Sequence, residues 1–168
     1  KAVNFLKKNK KDIILVCSGE LKDHRLNNSS YAEELISFIT DNNLNDNIKI
    51  LGKIEYIDVL RLMKSCLAVI NPSLFEGWSS TVEESKSIGK TIILSDIGVH
   101  KEQDPPHGIF FKPNDIEHLS NIIESLWDKR GGMVNENNEP IAKKSLNYRT
   151  INYGSNYLEI LRSVVNEH

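Results

Sequence analysis

The chain alternates short, continuous apolar runs with longer segments in which apolar residues recur at helical spacing. The apolar runs are 12–17, 48–51, 67–70, 91–94 and, more weakly, 109–111. Such runs, without polar alternation, are typical of strands that are buried on both faces of a sheet. Strands separated by helices form parallel sheets with right-handed crossovers. We therefore predict an α/β fold with a Rossmann-like parallel sheet and helices on both faces.

The segments between the runs are predicted to be helices. They cover residues 2–9, 31–43, 57–65, 80–88, 115–128 and about 150–166. Gly89 follows the fourth of these at the position of a helix C-cap, and Asp115 is placed to cap the fifth. A polar linker is expected from Gly131 to the last helix. The domain prediction is an α/β domain over 1–145, whose first strand is missing, and a C-terminal helix over 146–168.

Composition excludes some classes of protein. Of the 168 residues, 39% are hydrophobic and 26% are charged, which predicts a folded domain rather than a disordered chain. A net charge of -2 gives no electrostatic reason to expect nucleic acid as a partner. No apolar run approaches the roughly 18 residues of a membrane span, and no secretory signal is present. Because the chain opens with Lys1 in what resembles a helix interior, we expect a fragment of a longer protein.

The loops that follow the strands are the candidate binding sites, because ligands of parallel sheets bind beyond the carboxyl ends of the strands. They are the loops after Cys17, Leu51, Ile70 and Leu94. The loop after Ile70 is the most informative of them. It contains Gly77, which allows the backbone to approach a ligand closely.

Two carboxylates lie on either side of the start of the helix that follows this loop. Glu76 lies in the loop and Glu84 lies one turn into the helix. Ionised carboxylates only accept hydrogen bonds, so the pair suits the hydroxyls of a sugar or a ribose. The backbone N–H groups of 78–81 are at a helix N-terminus, where anions and hydroxyls bind.

Each of these residues also has a structural interpretation. Ser80 with Glu83, and Thr81 with Glu84, both fit the spacing of a capping box. Trp78 alone is compatible with a place in the core or a covering role over it as well as with a ligand contact. The residue pattern by itself leaves these alternatives open.

The sequence from Pro72 to Glu84 resembles the Glu-x7-Glu motif of retaining group 1 glycosyltransferases, which have the GT-B fold. The resemblance implies that this chain is the C-terminal, nucleotide-sugar-binding half of such a fold. Further segments resemble the family in the same order, over roughly residues 1–130. These are Ser18-Gly19, Leu51-Gly52-Lys53, Gly89 to Asp96, Val99 to Gln103 and Phe111 to Asp115. The sequence departs from the family at Ser79, where many members have a second glycine, and at Lys90-Thr91.

The resemblance implies roles for the matched positions. Glu84 would bind the ribose of the donor nucleotide, and Glu76, the nearest to a catalytic residue, would bind hydroxyls of the donor sugar. Gly52 and Lys53 would border the base. The full set of implied donor-binding residues is Gly19, Gly52, Lys53, Gly77, Trp78, Ser79, Ser80, Thr81 and Glu84.

The implied reaction transfers a sugar from a nucleotide-diphosphate sugar to an acceptor hydroxyl with retention of configuration. The acceptor would bind an N-terminal GT-B domain of the same full-length chain, so the fragment alone is expected to be inactive. The basic residues that neutralise the diphosphate are expected before residue 1. By analogy, the resemblance implies polysaccharide biosynthesis in the cytoplasm, with association to the inner face of a membrane left open.

Neither a metal nor another cofactor is expected. The sequence contains no Asp-x-Asp, and no His or Cys cluster has ligand spacing. Lys22 and Arg25 are expected to be solvated loop charges rather than phosphate ligands. His100 and Glu102 lie in a loop after a strand, and for both a structural role and a ligand role stay open.

Two alternatives to a glycosyltransferase donor domain stay open. One is another GT-B enzyme, such as a nucleotide-sugar epimerase. The other is a non-catalytic nucleotide-binding or protein-interaction module on an α/β sheet.

Overall fold

The computed structural model describes residues 1–21, 30–133 and 138–166 of the chain. Its helices are α1 (Ala2–Lys8), α2 (Ser30–Asp41), α3 (Tyr56–Ser65), α4 (Ser80–Ile88), α5 (Gly98–Gln103), α6 (Ile116–Met133) and α7 (Glu139–Asn166). Its strands are β1 (Leu15–Cys17), β2 (Ile48–Ile50), β3 (Val69–Asn71), β4 (Ile92–Ser95) and β5 (Gly108–Phe111).

The strands form parallel pairs whose members are joined by helices. β1 pairs with β2, with Leu15 opposite Ile48, and the connection between them contains α2. β3 pairs with β4 in the same way, with Val69 opposite Ile92, and α4 connects them. β5 extends the second sheet in the order β3-β4-β5. The predicted α/β fold with parallel strands and flanking helices is confirmed.

The chain divides into two compact units. The first unit comprises Lys1–Leu67 and Phe111–Met133. The second unit comprises Ala68–Phe110 and Val134–His168. Each unit has a hydrophobic cluster of its own, and the two clusters are described in turn.

The core of the first unit lies between its helices and its two-stranded sheet. Val3 of α1, Ile39 of α2 and Leu44, just after α2, are buried together. Leu15 and Ile48 pack against them from β1 and β2. Burying a side chain of this size contributes about 1.5–3 kcal/mol, so these apolar positions fix the face that each helix presents to the sheet.

The core of the second unit lies between α4 and β4. Val82, Ile92 and Leu94 are each fully buried there. Gly89 ends α4 with a φ of 66°, the left-handed conformation predicted for its C-cap. A Cβ atom at Gly89 would lie 2.8 Å from the backbone oxygen of Asn138, so only glycine allows the start of α7 to lie this close to the end of α4.

Several predicted boundaries are wrong. The first strand begins at Leu15 rather than at residue 12. A short helix, α5, replaces the loop expected around His100. The predicted polar linker is also wrong within the described residues, because α6 continues to Met133. The last helix, α7, begins at Glu139 instead of about residue 150. The linker was expected at Gly131 and Gly132 because glycine has a low helix propensity, yet both residues lie within α6. The predicted domain division at residue 145 stays a prediction.

Candidate functional site

In the first unit, backbone hydrogen bonds join the loops that follow β1 and β2. The N–H of Leu51 donates to the carbonyl of Cys17, and the N–H of Gly19 donates to the carbonyl of Gly52; both N···O distances are 2.9 Å. Gly19 has a φ of 127° and Gly52 a φ of 68°, which side chains strongly disfavour. Within the described part of the chain, no atom beyond the adjacent residues lies within 4 Å of where a Cβ would sit at either glycine. The exposed Lys53 follows directly. The structure thus brings together two of the predicted donor-binding residues on an open, backbone-lined surface.

In the second unit, side chains hold the loop after β3. The carboxylate of Glu76 is half-buried, and its Oε1 accepts hydrogen bonds from Ser73 Oγ at 2.8 Å and from Asn71 Nδ2 at 3.3 Å. Among the described residues, Glu76 Oε2 accepts none. One oxygen therefore orients the carboxylate while the other stays available to a ligand hydroxyl.

Asn71, the last residue of β3, connects the two ends of this loop. Its side chain is buried; Nδ2 also donates to Ser79 Oγ at 2.9 Å, and Oδ1 accepts from the N–H of Ser73 at 3.2 Å. Ser95 at the end of β4 donates a further hydrogen bond to the carbonyl of Ser73. The path of the loop is therefore fixed from β3 and β4.

The helix α4 begins without a side-chain cap. Its N-cap is Ser79, which precedes both predicted cap positions, and the hydroxyl of Ser79 makes no capping hydrogen bond. Neither predicted capping box forms, because Ser80 and Thr81 lie inside the helix and the N-cap is Ser79, whose hydroxyl accepts from Asn71. The N–H groups of Ser80 and Thr81 in the first turn have no partner within the helix, and they are the groups that bind anions at such ends.

The buried Gln103, at the end of α5, takes the place of the capping side chain. Its Oε1 accepts from the N–H of Ser79 at 3.2 Å, and its Nε2 donates to the carbonyl of Ser79 at 2.9 Å and to Glu83 Oε1 at 3.1 Å. The N–H of Ser79 is thus bonded within the protein, although it was predicted to face the donor. Gln103 and Asn71 were not among the predicted site residues, because a single amide side chain has no periodicity or spacing that marks it.

Glu83 lies at the centre of a charged cluster in the second unit. Lys86 Nζ lies 3.0 Å from its Oε1, and Arg149 Nη1 on α7 lies 2.9 Å from its Oε2. Burial alone would raise the pKa of Glu83. The hydrogen bonds from Lys86, Gln103 and Arg149 and the charge of Lys86 outweigh burial, and the pKa is lowered from its ordinary value of 4.5.

The remaining predicted donor-binding residues have varied environments. Gly77, Trp78 and Ser80 are exposed, Trp78 to 55%. With that exposure Trp78 is not a core residue, whereas its covering role and its ligand contact both stay predictions. Thr81 and Glu84 are half-buried on α4, and Glu84 already takes part in a contact within the protein.

His100 and Glu102 differ in exposure. The His100 ring is fully buried, and its Nδ1 donates to the carbonyl of Ser95 at 2.8 Å, which supports the structural interpretation of this histidine. Glu102 is exposed on α5. Lys22 and Arg25 lie outside the described residues.

Over residues 1–21, 30–133 and 138–166, no three His, Cys, Asp or Glu side chains cluster as metal ligands. The predicted absence of a metal nevertheless stays a prediction. Within the same ranges, no helix has the length and apolar character needed to cross a membrane.

The parallel sheets and their flanking helices are those of GT-B glycosyltransferases. A glycosyltransferase from Rickettsia africae ESF-5 aligns with a TM-score of 0.74 and 20% identity, over 95% of this chain and 43% of that one. A sucrose-phosphate synthase from Thermosynechococcus elongatus aligns with a TM-score of 0.67 and 18% identity, over 97% of this chain and 43% of that one. The chain therefore spans less than half the length of these structures.

The sequence places the chain more narrowly than the fold does. Residues 1–145 match the family described as glycosyl transferases group 1, and the chain belongs to that family. The family resemblance inferred from the sequence is confirmed at this level. No curated protein matches the chain.

Proposed function

We propose that this chain forms the donor-binding part of a retaining glycosyltransferase that transfers a sugar from a nucleotide-diphosphate sugar to an acceptor hydroxyl. Membership of the group 1 family supports sugar transfer in general. The observation that carries the finer proposal is the half-buried Glu76 carboxylate, which Ser73 and Asn71 orient through one oxygen beside the uncapped start of α4.

The two chemical features of this loop match the two parts of the proposed donor. The outward oxygen of Glu76 would accept hydrogen bonds from donor-sugar hydroxyls and so orient the anomeric carbon. The N–H groups of Ser80 and Thr81 would bind the diphosphate. As the bond from the anomeric carbon to the diphosphate oxygen breaks, these N–H groups would stabilise the charge that develops on the leaving group. The acceptor oxygen then bonds to that carbon and its hydroxyl proton is released.

The nucleoside end of the donor is assigned to four further positions. Glu84 on α4 would accept hydrogen bonds from the ribose hydroxyls. Gly19 and Gly52 offer open backbone in the first unit, and Lys53 follows them. These residues are proposed to border the base by backbone contacts, which would let the site accept a flat ring without a matching side chain.

The acceptor is proposed to bind a second domain of the full-length protein. The solved structures that resemble this chain are more than twice its length, which supports such a domain. On this proposal residues 1–168 bind donor or nucleotide, while turnover requires the second domain.

Titration by NMR with UDP, GDP, ADP and their common sugar conjugates tests the proposal. We expect affinities in about the millimolar range, or roughly -4 kcal/mol, with shifts at Gly19, Gly52 and residues 76–84. Glu84→Ala should weaken the binding of every nucleotide. Glu76→Ala should leave the affinity for the plain nucleotide unchanged and abolish only the additional affinity for its sugar conjugate.

The matched control is Glu117→Ala, which removes an exposed carboxylate from the first turn of α6. It should bind every ligand as the wild type does. If no nucleotide perturbs the wild-type chain, the titration is repeated on the full-length protein. Failure there as well would overturn the donor-site proposal.

A further inference from the structure

Gln103 binds the backbone of Ser79 at both ends of its amide. Its Oε1 accepts from the Ser79 N–H at 3.2 Å, and its Nε2 donates to the Ser79 carbonyl at 2.9 Å. The side chain is only 2% exposed, so these bonds face little competition from water. In a capping box, a Glu or Gln inside the same helix accepts from the N-cap N–H. Here a residue from a different helix supplies that acceptor.

This arrangement fixes the first turn of α4 without using its binding groups. Asn71 holds the Ser79 hydroxyl at 2.9 Å, and Gln103 holds the Ser79 peptide groups. An ordinary Ser cap would accept from an N–H of the first turn and so remove one donor from a ligand. With the hydroxyl bonded to Asn71, no such cap forms and the donors of the first turn are left to a ligand.

The orientation of the Gln103 amide is determined by its surroundings. Nε2 faces two acceptors, the carbonyl of Ser79 and Glu83 Oε1, whereas Oε1 faces the donor N–H of Ser79. Lys86 Nζ donates to Glu83 Oε1 at 3.0 Å and to the backbone carbonyl of Gln103 at 2.7 Å, and so holds the acceptor that Nε2 faces. A flipped amide would oppose its own oxygen to two acceptors, so Gln103 has a single stable position.

We propose that Gln103 is a positioning residue that holds the first turn of α4 in the orientation that binds the donor diphosphate. This inference rests on the proposed function, because it assigns the diphosphate to that turn. Gln103 itself does not touch the donor; it acts through Ser79. Its effect should therefore depend on the phosphates of the ligand and not on the nucleoside.

The test compares two ligands on the full-length protein by titration calorimetry. One is whichever of UDP, GDP and ADP binds best, and the other is its nucleoside without phosphates. Gln103→Met keeps the size of the side chain and removes the amide. We expect it to lower the affinity for the diphosphate about tenfold and the affinity for the nucleoside by less than about twofold. Gln103→Glu should weaken the diphosphate at least as much, because it opposes a carboxylate to Glu83 and to the Ser79 carbonyl.

Lys101→Met is the matched control, since Lys101 lies on the exposed side of the same helix. It should bind both ligands as the wild type does. If the wild type binds no diphosphate, the proposed function fails. If it binds and Gln103→Met binds equally well, or weakens both ligands alike, only the inference about Gln103 fails.

A measurement on the wild type keeps the inference testable if the variants do not fold. Saturating diphosphate should shift the amide signals of Ser80 and Thr81, while the Ser79 amide stays slow to exchange with solvent. If the Ser79 amide exchanged rapidly with solvent once diphosphate is bound, and its signal shifted together with those of Ser80 and Thr81, the inference would be overturned.

Discussion

The loops of the two units hold their shapes by different means. In the first unit, the ends of β1 and β2 are joined by backbone hydrogen bonds, and Gly19 and Gly52 adopt conformations that side chains disfavour. In the second unit, a network of side chains from β3, β4 and α5 fixes the loop around Glu76. The first surface should tolerate most side-chain changes except at its glycines. The second should fail when a single amide is changed, since each amide serves several partners.

The largest effect is expected from Asn71→Asp in the second unit. The change removes the N–H donors to Ser79 and Glu76 and places a second carboxylate within hydrogen-bond distance of Glu76. We expect a loss of about 2–3 kcal/mol in the free energy of unfolding near neutral pH, measured by denaturant titration. Repulsion raises the pKa of one carboxyl of the pair, so the folded variant binds a proton more tightly and the deficit shrinks as the pH falls.

The control for this change is Asn114→Asp, an exposed loop position with a φ of 64° that aspartate also tolerates. It should change stability by less than about 0.5 kcal/mol. A deficit of Asn71→Asp that is the same at every pH would show that the two carboxylates do not interact, and the described position of Glu76 would then be wrong.

A smaller effect is expected from glycine changes that compare the two loops directly. Gly52→Ala puts a Cβ on a residue with a φ of 68° and should cost about 1–2 kcal/mol in the free energy of unfolding. Gly77→Ala, in the loop of the second unit, has open space for the Cβ and no such φ, so it should be neutral or stabilising by up to about 1 kcal/mol. Equal costs at the two positions would contradict the backbone-based account of the first loop.

The parts of the fold that were predictable from the sequence are those with local signals. Continuous apolar runs marked all five described strands, and the periodic segment before Gly89 predicted α4 up to its C-cap. Asp115 was predicted to cap α6, and its Oδ1 does accept the N–H of His118 at 2.9 Å. Each of these signals lies within a few residues of the feature that it predicts.

The parts that were missed depend on contacts between distant residues. Gln103 and Ser79 are 24 residues apart, and Arg149 lies 66 residues from Glu83. The spacing of Ser80 and Glu83 suggested a capping box. The sequence could not show that Lys86, Gln103 and Arg149 would surround this carboxylate instead. The Glu76 motif was recognised by resemblance, whereas its support by Asn71 and Ser73 became visible only in the folded loop.

The smallest effect is expected from Glu83→Gln, which separates the charge of Glu83 from its packing. Because the folded-state pKa of Glu83 is lowered, its carboxylate stabilises the fold above the unfolded pKa of about 4.5, and this contribution is lost as the pH falls through the folded value. The Glu83 side chain is 31% exposed, so solvent screens its ion pairs. We expect Glu83→Gln to cost about 1 kcal/mol or less near pH 7, and the difference from the wild type to diminish near pH 3. Glu117→Gln, an exposed carboxylate on α6, should show no such trend in the same denaturant titrations. A Glu83→Gln deficit that persists undiminished at acid pH would mean that the hydrogen bonds accepted by Glu83, and not its charge, link α4 to Arg149 of α7.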